Sequence, residues 1–457
     1  MSKSLLPEFN LTSEQADDLP RFELSGFNLP GFDLPEEILF ILDRFEENGK
    51  RSYLVGGSVR DLLLGKSIND YDITTSATPQ EVKAIFSDYI TLDTGLQHGT
   101  VTLLIDNKPF EITTFRTDGK YSDHRRPNNV ELTTSLFEDS QRRDFTINQI
   151  AYNPIDGLVD YHNGLTDLQA KLIRAVGDPY KRFDEDALRI IRAFRFAVQL
   201  NFDIENNTFA AVKAMINDLD YVAAERLTHE LIKILNSDFL SESKNWQNLM
   251  VLWNYLFPTY SCEIYKSFSA DLLDNLPQNH NINLTLLAYF LAENDLAHFL
   301  NKLKLKRTEF IFVKSYTAAL QEIAEVQLSS EKDVDSALIT AESSHFSPLD
   351  LIELKSKYNL DLQTLIEILN LTVLEPSFGI NFQTVEKIKL SFSELLGKQL
   401  PLSTLDLAIS GKDLIDMGFS QGKVIGQVLN DLLKLVVKGE LENSEIALSA
   451  AAQTMLS

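Results

Sequence analysis

SYLVGGSVRDLLLGKSINDYDIT, residues 52–74, carries the most informative pattern in this chain. A short apolar run, Tyr53–Val55, stops at two glycines, and an amphipathic turn that contains Arg60 follows them. The next apolar run begins with Asp70 and Asp72, two residues apart. On a strand, side chains at this spacing point to the same face of the sheet. The pattern predicts a strand, a glycine turn, a helix and a second strand that carries paired acids.

The paired acids and the glycines have a chemical interpretation together. Neighbouring carboxylates repel each other, so a cation is expected between Asp70 and Asp72. Mg²⁺ suits such a pair, because one or two carboxylates and substrate phosphates normally hold it. Gly56 and Gly57 precede a helix start and offer bare backbone N–H groups to a phosphate. Each signal alone is weak, but their order and close spacing predict nucleotidyl transfer.

GGSVRD followed by DYD resembles the signature of the DNA-polymerase-β-type nucleotidyltransferases, in the branch of class II CCA-adding tRNA nucleotidyltransferases and bacterial poly(A) polymerases. The resemblance implies two-metal catalysis with Mg²⁺, and tRNA, CTP and ATP as partners. It also implies that Asp70 and Asp72 are catalytic metal ligands. The triphosphate would be held by Gly56, Gly57 and Arg60.

Glu111 lies in the segment PFEITTFRTDG, where it alternates with apolar residues. Taken alone, it fits an exposed residue of a surface strand. The resemblance implies instead that it is a third catalytic carboxylate, which completes the metal site and helps to orient the primer 3′-hydroxyl. The polar segment that follows, residues 116–127, resembles the family's flexible loop, which is associated with the switch from CTP to ATP. Arg116 and Arg125 are its candidate functional residues, and His124 stands where glycine is expected.

RRDFTIN, residues 142–148, is predicted to open a helix and resembles the second motif of the family. The resemblance implies that Arg143 meets the triphosphate and that Asp144 and Asn148 contact the ribose 2′-hydroxyl. Ordinary helix capping with charges that match the dipole remains the alternative. Gln149 stands where the family usually has alanine, which leaves the local packing open.

EDALRIIRAFRF, residues 185–196, matches the fourth motif of the family. Asp186 and Arg189 lie three positions apart, so an intrahelical salt bridge worth a few tenths of a kcal/mol is one interpretation. The other is base selection: cytosine and adenine both show an amino donor beside a ring-nitrogen acceptor, which a carboxylate and a guanidinium can match. The resemblance implies this template role. Arg192 and Arg195 are further nucleotide-binding candidates.

Periodicity predicts an α+β fold, with a small mixed-sheet head followed by an all-α neck, body and tail. Predicted strands cover residues 53–56, 70–74, 89–93, 99–105 and 109–116, with helices at 36–47 and 78–88. From Leu136 to the end we expect helices and no strand. The predicted domains are an extension (1–35) that contains a repeated F-x-L pattern, a catalytic head (36–175), a base-selecting neck (176–240), a helical body (241–330) and an RNA-binding tail (331–457).

The net charge and the cysteine content limit the binding partners and the cellular compartment that can be expected. The net charge of −24 opposes nucleic-acid binding overall, but residues 171–195 hold seven basic residues against four acidic ones. RNA binding is therefore expected to be local and salt-sensitive. The single cysteine, Cys262, fits a reducing compartment, and no apolar run of membrane-spanning length occurs. We expect a cytoplasmic protein that needs no membrane and no stable protein partner.

The sequence leaves the product open. The segment from Ser410 to Asn443 resembles the tail of CCA-adding enzymes and argues mildly against poly(A) addition, and the intact loop argues against CC-only addition. CCA addition is the favoured prediction, while A-only addition and poly(A) synthesis remain alternatives. An inactive RNA-binding scaffold is a remote alternative, since a scaffold has no need for clustered carboxylates beside RNA phosphates.

Overall fold

A computed structural model describes residues 34–68, 70–118, 130–240, 243–259, 268–332 and 346–456. The chain divides into two compact units, residues 1–255 and 256–457. The first unit combines a large sheet with helices, whereas the described residues of the second unit form helices. This is the α+β class predicted from the sequence. The predicted F-x-L arm at residues 22–35 lies outside the described residues apart from its last two positions.

The first unit contains one large sheet and two small ones. In chain order its strands are β1 (Ser52–Val55), β2 (Asp72–Thr75), β3 (Ile90–Gly95), β4 (Thr100–Ile105), β5 (Lys108–Thr114), β6 (Arg116–Asp118), β7 (Val130–Leu132), β8 (Ala151–Asn153), β9 (Gly157–Val159), β10 (Leu172–Ile173) and β11 (Asp203–Ile204).

Ten α-helices are described up to the end of the first unit. They are α1 (Glu36–Glu47), α2 (Gly57–Leu63), α3 (Pro79–Ile85), α4 (Leu136–Gln141), α5 (Gly164–Gln169), α6 (Pro179–Glu185), α7 (Leu188–Leu200), α8 (Asn206–Met215), α9 (Ala224–Leu235) and α10 (Ser243–Leu256). Short 3₁₀ turns add residues 96–98, 146–148 and 216–221.

The large sheet has seven strands in the order β3-β4-β5-β2-β1-β8-β9. Strands β2 and β5 run parallel, and the other neighbouring pairs are antiparallel. The prediction that no strand follows Leu136 is wrong, because the β8–β9 hairpin extends the sheet beyond β1. Each of these two strands has three residues, which is too short for an alternating pattern to be recognised.

Strands β4 and β5, both predicted from the sequence, pair as an antiparallel hairpin. Asp106 and Asn107 join the strands with φ angles of 50° and 63°. Two consecutive left-handed residues match the twist of antiparallel strands, and Asp and Asn tolerate this conformation better than most residues.

The core of the head is built from both helices and sheet. Tyr53 and Val55 share one face of β1 and pack in a cluster with Phe115 and Val159. Helix α1 packs on α3 through Phe45, whose ring meets Phe86 edge-on with centroids 5.2 Å apart. A capping box between Thr78 and Glu81, with proline in the first turn, fixes where α3 begins.

Helix α7 is the most deeply buried helix of the site region, and it packs against α9. Its thirteen residues include two buried arginines, Arg189 and Arg195. Long basic side chains are seldom buried unless they are paired, so their partners decide what this helix can do.

The second unit is described by itself. Its helices are α11 (Ala270–Asp274), α12 (His280–Ala288), α13 (Glu293–Leu303), α14 (Arg307–Lys332), α15 (Pro348–Tyr358), α16 (Leu362–Thr372), α17 (Phe382–Gly397), α18 (Gly411–Asp416), α19 (Lys423–Val437) and α20 (Glu445–Leu456). The predicted tail segment corresponds to α18 and α19. Asn443 closes it, because its side chain binds the backbone of Asp406 and Ala408. None of the helices that the structure describes has the length and apolar character needed to cross a bilayer.

Candidate active site

The glycine turn after β1 brings a strand end, a carboxylate and a guanidinium close together. Gly56 has a φ of +72°, a conformation that favours glycine, and α2 begins at the next residue. A Cβ atom at Gly56 would lie 3.4 Å from Asp72 Oδ2 and 3.6 Å from Arg143 Nη1. The bare backbone therefore forms one wall of a space that both charged groups enter.

Asp72 and Glu111 are paired residues of β2 and β5. Asp70, predicted within the strand, lies two residues before β2 begins. Although the Asp72 side chain is solvent-accessible, the protein atoms around it desolvate the carboxylate and raise its pKa above the ordinary value. Arg143 opposes that rise, while Glu111 and Asp70 add to it. The three predicted carboxylates thus influence one another electrostatically.

The carboxylates do not form a complete ligand cage. Within the described residues, no group of three or more His, Cys, Asp and Glu side chains is arranged to hold a metal ion. Mg²⁺ does not need such a cage, because one or two carboxylates, waters and substrate phosphates usually surround it. The exposed pair Asp70 and Asp72, with its mutual repulsion, fits an ion held in this way. The role of Glu111 as a third ligand stays a prediction.

Asp144 accepts hydrogen bonds from Arg192 of α7 and from two residues of its own segment. Its Oδ2 accepts hydrogen bonds from Arg192 Nε at 2.9 Å and Nη2 at 2.5 Å. Its Oδ1 accepts from the Phe145 backbone at 2.8 Å and from Asn148 Nδ2 at 3.1 Å. Burial alone would raise the pKa of Asp144, but Arg192 and these donors lower it well below its usual range. Asp144 is therefore an ionised anchor for its neighbours.

Arg60 connects α2 to the same group. Its Nη1 donates to Asn148 Oδ1 at 2.8 Å, while Nε and Nη2 bind both oxygens of Asp61 at 2.9 Å. A chain of contacts thus runs from the glycine turn through Arg60 and Asn148 to Asp144. Side chains that lie far apart in the sequence are held in one network.

Glu230 adds a buried carboxylate to the arginines of the site. It lies on α9, is 4% exposed, and its Oε2 is 3.1 Å from Arg195 Nε. Burial and the nearby Arg192 lower the pKa of Arg195, and Glu230 partly compensates. Helix α9 therefore supplies the negative charge that allows two arginines of α7 to lie close together.

Asp139 was missed altogether by the sequence analysis. Its side chain is fully buried on α4 and binds Arg142 Nη2 at 2.7 Å and Arg143 Nη2 at 2.9 Å. Although burial opposes ionisation, the two guanidinium groups lower the pKa of Asp139. Its Oδ1 also accepts from the backbone N–H of Arg116, at 3.3 Å. One buried carboxylate thus orients Arg143 and holds the start of β6.

Residues 142–148, the second motif, were predicted to open a helix, and this prediction is wrong. Helix α4 ends before this motif, and residues 146–148 form a single 3₁₀ turn. This turn packs tightly on α5, because a Cβ atom on Gly164 would lie 2.2 Å from the Thr146 carbonyl oxygen. Gln149, where alanine was expected, is buried and donates to Asp160. The turn therefore depends on α5 and Asp160 rather than on a helix of its own.

Asp186 and Arg189 are not paired with each other. Asp186 follows the last residue of α6, caps the Leu188 backbone at 3.1 Å and lies 3.3 Å from Arg226 Nη2. Arg189 donates to Glu185 Oε2 at 2.7 Å and to the carbonyls of residues 182 and 142 at 2.9 and 2.7 Å. The prediction of an intrahelical salt bridge between Asp186 and Arg189 is therefore wrong, since both side chains bind other partners.

These elements enclose a cleft of about 310 Å³. Its lining consists of Gly56, Gly57, Arg60, Asp72, Arg143, Asp144, Asn148, Arg192, Arg195 and Phe196. All except Phe196 were predicted site residues. Asp70, Glu111, Asp186 and Arg189 do not line it. Arg116 starts β6 and donates to the His98 carbonyl at 2.5 Å, and Arg125 lies outside the described residues.

The side chains that line the cleft are suited to bind a polyanion. Four guanidinium groups enter it, and a helix N-terminus with bare glycine backbone closes one end. The carboxylate of Asp72 at the same end would repel phosphate unless a cation intervened. A metal-bound nucleoside triphosphate matches this combination of positive walls and one acidic end.

Comparison with known proteins agrees with this geometry. Residues 52–174 match the model of the poly A polymerase head domain, residues 201–260 the probable RNA and SrmB-binding site of polymerase A, and residues 277–452 a putative tRNA nucleotidyltransferase domain 2. The CCA-adding enzyme of Leuconostoc citreum is 38% identical over 430 residues, which cover 93% of this chain and 98% of that enzyme. The chain belongs to the CCA-adding enzyme family.

Other members of the family support the same assignment. The CCA-adding enzyme of Staphylococcus saprophyticus is 34% identical, with 88% of this chain and 94% of that enzyme covered. The crystal structure of the Bacillus stearothermophilus CCA-adding enzyme in complex with CTP has a TM-score of 0.67 and 28% identity. The structural match covers 92% of this chain and 97% of the Bacillus stearothermophilus chain. As a member of this family, the protein is a nucleotidyltransferase with an α+β fold, as predicted.

Proposed function

We propose that this CCA-adding enzyme uses CTP and ATP to add C, C and A to the 3′ end of tRNA without a nucleic-acid template. In each step the tRNA 3′-hydroxyl oxygen forms a bond to the α-phosphorus, the bond to the β-phosphate bridging oxygen breaks, and pyrophosphate leaves. The observation that carries the proposal is the cleft in which four guanidinium groups face the acidic end at Asp72. The CTP named in the Bacillus stearothermophilus structure supports the choice of ligand.

The lining of the cleft supports a proposed role for several of its residues. Gly56 and Gly57 offer backbone N–H groups, and Arg60 and Arg143 offer charged donors, to the triphosphate. Arg192 and Arg195 extend the same positive wall along α7. Asp144 and Asn148 would hydrogen-bond the ribose 2′-hydroxyl, a role supported by their acceptor oxygens and by their position in the cleft lining.

Divalent metal, which we propose to be Mg²⁺, would be held by Asp70 and Asp72. When bound, it supplies charge that offsets the developing negative charge on phosphate and hydroxyl oxygens. The protein's own contribution is a pair of exposed carboxylates, of which Asp72 is the strand partner of Glu111. Glu111 would help to orient the primer hydroxyl. Arg143, held by Asp139, keeps positive charge beside this acidic end.

Base selection is proposed for Asp186 and Arg189. A carboxylate accepts the amino group that cytosine and adenine share, and a guanidinium donates to the adjacent ring nitrogen. Uracil and guanine present the opposite order of donor and acceptor. In the described conformation Arg189 is bound to Glu185 and to two carbonyl oxygens, so reading a base requires it to exchange at least one of these partners.

The tRNA is proposed to bind through local basic residues of the head and neck and through the C-terminal helices. The match of residues 277–452 to a tRNA nucleotidyltransferase domain supports a tRNA substrate over poly(A) synthesis. Helices α18 and α19 would recognise the RNA by shape and phosphate contacts. The single cysteine, Cys262, fits action in the reducing cytoplasm.

One assay tests the proposal. Transcripts of tRNA that end at the discriminator base, at C and at CC are each incubated with CTP, ATP or both, and products are measured by length. CCA addition predicts two additions from CTP alone and a terminal A only after CC. Repeated A addition would indicate poly(A) synthesis. A addition to the CC transcript, with no addition from CTP to any transcript, would indicate an A-only enzyme. No extension of any transcript would contradict the proposed activity.

A further inference from the structure

Phe196 is the one residue of the cleft lining that had no predicted role. It is 5% exposed and lies next to Arg195 on α7. Three guanidinium carbons lie near the centre of its ring: that of Arg195 at 4.0 Å, and those of Arg60 and Arg192 at 5.1 Å each. A single aromatic ring is therefore shared by three positive groups that line the cleft.

This arrangement has an electrostatic cost. Guanidinium groups that share a buried site repel each other, and burial penalises the charge of each one. Asp61, Asp144 and Glu230 supply compensating negative charge, each bonded to a different member of the cluster. Glu230 also lies 3.8 Å from Arg192, so its charge brings the two arginines of α7 together. Asp61 is paired with Arg60 on α2, and charge compensation by these three carboxylates does not explain why Arg60 approaches the same ring.

The ring of Phe196 supplies the convergence. An aromatic face carries negative potential and attracts cations within about 6 Å of its centroid, most strongly where water is excluded. The ring is itself fixed by an edge-on contact with Phe145, with centroids 5.7 Å apart and an interplanar angle of 80°. Because Arg60 belongs to α2 and the other two arginines to α7, the ring joins the glycine-turn helix to the neck.

We propose that Phe196 is a positioning residue that, through its π face, holds Arg60, Arg192 and Arg195 in the geometry that binds the nucleotide triphosphate. The inference rests on the proposed function for the identity of the ligand. It adds that triphosphate affinity depends on the electron density of this ring, and not only on its apolar volume.

The test replaces Phe196 by fluorinated phenylalanines through amber suppression. The 4-fluoro, 3,5-difluoro and 3,4,5-trifluoro rings weaken the aromatic potential in steps while changing the shape little. Equilibrium dissociation constants are measured by calorimetry for CTP and for inorganic tripolyphosphate, with no tRNA present. We expect both ligands to bind progressively more weakly, by about tenfold for the trifluoro ring, if the three contacts each contribute a modest cation–π term.

Phe194 provides a matched control. It is buried on the same helix, two residues earlier, and in the described structure no guanidinium lies over its ring. The same fluorinated series at Phe194 is expected to leave both dissociation constants unchanged. In turnover assays, Phe196→Leu is expected to raise KM for CTP and ATP together while kcat is retained, because the ring supports ground-state and transition-state binding alike.

Unchanged binding through the Phe196 series, or equal losses in the Phe194 series, would overturn the proposal. The 4-fluoro variant, which adds a single fluorine, keeps the test decisive if the trifluoro variant does not fold. The binding measurement needs neither tRNA nor turnover. A protein that shows the graded loss yet adds no nucleotides to tRNA would contradict the proposed function and leave this inference intact.

Discussion

Asp72 and Glu111 occupy paired positions on the parallel strands β2 and β5, so two carboxylates stand side by side on central strands of the sheet. Parallel pairing between strands so far apart in the sequence requires a crossover, here made by α3, β3 and β4. The acidic end of the cleft is therefore a product of sheet topology. The pairing brings to one place two residues that local sequence alone would leave unrelated.

Removal of one charge from this acidic end should abolish catalysis without unfolding the protein. We expect Asp72→Asn to lower nucleotide addition by several orders of magnitude, because the proposed metal loses a charged ligand. Addition of C to tRNA is measured over a Mg²⁺ titration, with the thermal midpoint as the measure of folding. Asp88→Asn, which breaks the surface pair with Arg44, is the control and should retain activity. Near-normal activity of Asp72→Asn with Mg²⁺ present would contradict the proposed site.

Asp139 should affect nucleotide binding although it does not line the cleft. In Asp139→Asn the charge that holds Arg142 and Arg143 is lost, and two partly buried guanidinium groups lose their counterion. We expect the Kd for CTP to rise about tenfold, or about 1.4 kcal/mol, as Arg143 loses its fixed position. Glu138→Gln, an exposed neighbour on the same helix, should leave the Kd unchanged. Equal Kd values for wild type and Asp139→Asn would show that Arg143 needs no orientation.

The same variant makes a prediction about pH. The pKa of Asp139 is lower in the folded protein than in the unfolded chain. Its charge therefore stabilises the fold at pH values above about 3.9, the pKa of Asp in an unfolded chain. That contribution is lost as the pH falls through the lower, folded pKa. The thermal midpoint of wild type should thus exceed that of Asp139→Asn at neutral pH, and the gap should narrow below about pH 4. A gap that is constant with pH would mean that shape rather than charge explains it.

Base selection by Arg189 can be separated from its structural role. Arg189→Ala leaves two carbonyl oxygens without their donor, so a loss of about 1–3 kcal/mol in stability is expected whichever role it has. Only a reading role changes nucleotide preference. We expect kcat/KM to fall alike for CTP and ATP, while UTP and GTP gain in relative terms by about tenfold to a hundredfold. Unchanged ratios among the four nucleotides would leave Arg189 with a purely structural role.

Binding of tRNA should depend on a few exposed lysines. Arg174 and Arg182 of the basic segment are paired with Asp167 and Glu185, whereas Lys171 and Lys181 are exposed. We expect Lys171→Gln combined with Lys181→Gln to reduce the log–log salt slope of tRNA binding by about 1.5–2, as two phosphate contacts are lost. Lys108→Gln, which removes the partner of Glu37, is the control. A slope that the double change does not alter would place the RNA path elsewhere.

The motifs predicted most of the cleft, because residues of one reactive site recur at short, fixed spacings. Gly56, Arg60, Asp144 and Arg192 were each named from short motifs that resemble those of the family, and the structure brings all four into the cleft lining. The spacing could also have revealed Asp139, which precedes Arg142 and Arg143 by three and four positions, the separation of helical ion pairs.

Other features had no local signal. Phe196 has the sequence character of any core aromatic, and only its three arginine neighbours distinguish it. Glu230 acquires meaning from α7, which lies more than thirty residues earlier. The strands β8 and β9 are recognisable only through their pairing with the sheet. In each case the deciding interaction is tertiary, and periodicity within one segment cannot report it.

The contact between Gly164 and the Thr146 carbonyl has a mechanical consequence. With a hydrogen atom as the only spacer, the first turn of α5 bears directly on the 3₁₀ turn between Asp144 and Gln149. Thr146 and Asp167 add a buried hydrogen bond of 2.7 Å across the same junction. The close contact and the buried hydrogen bond couple the first turn of α5 to the 3₁₀ turn. Because this turn carries Asn148 of the cleft lining, we expect a displacement of α5 to change the position of that side chain.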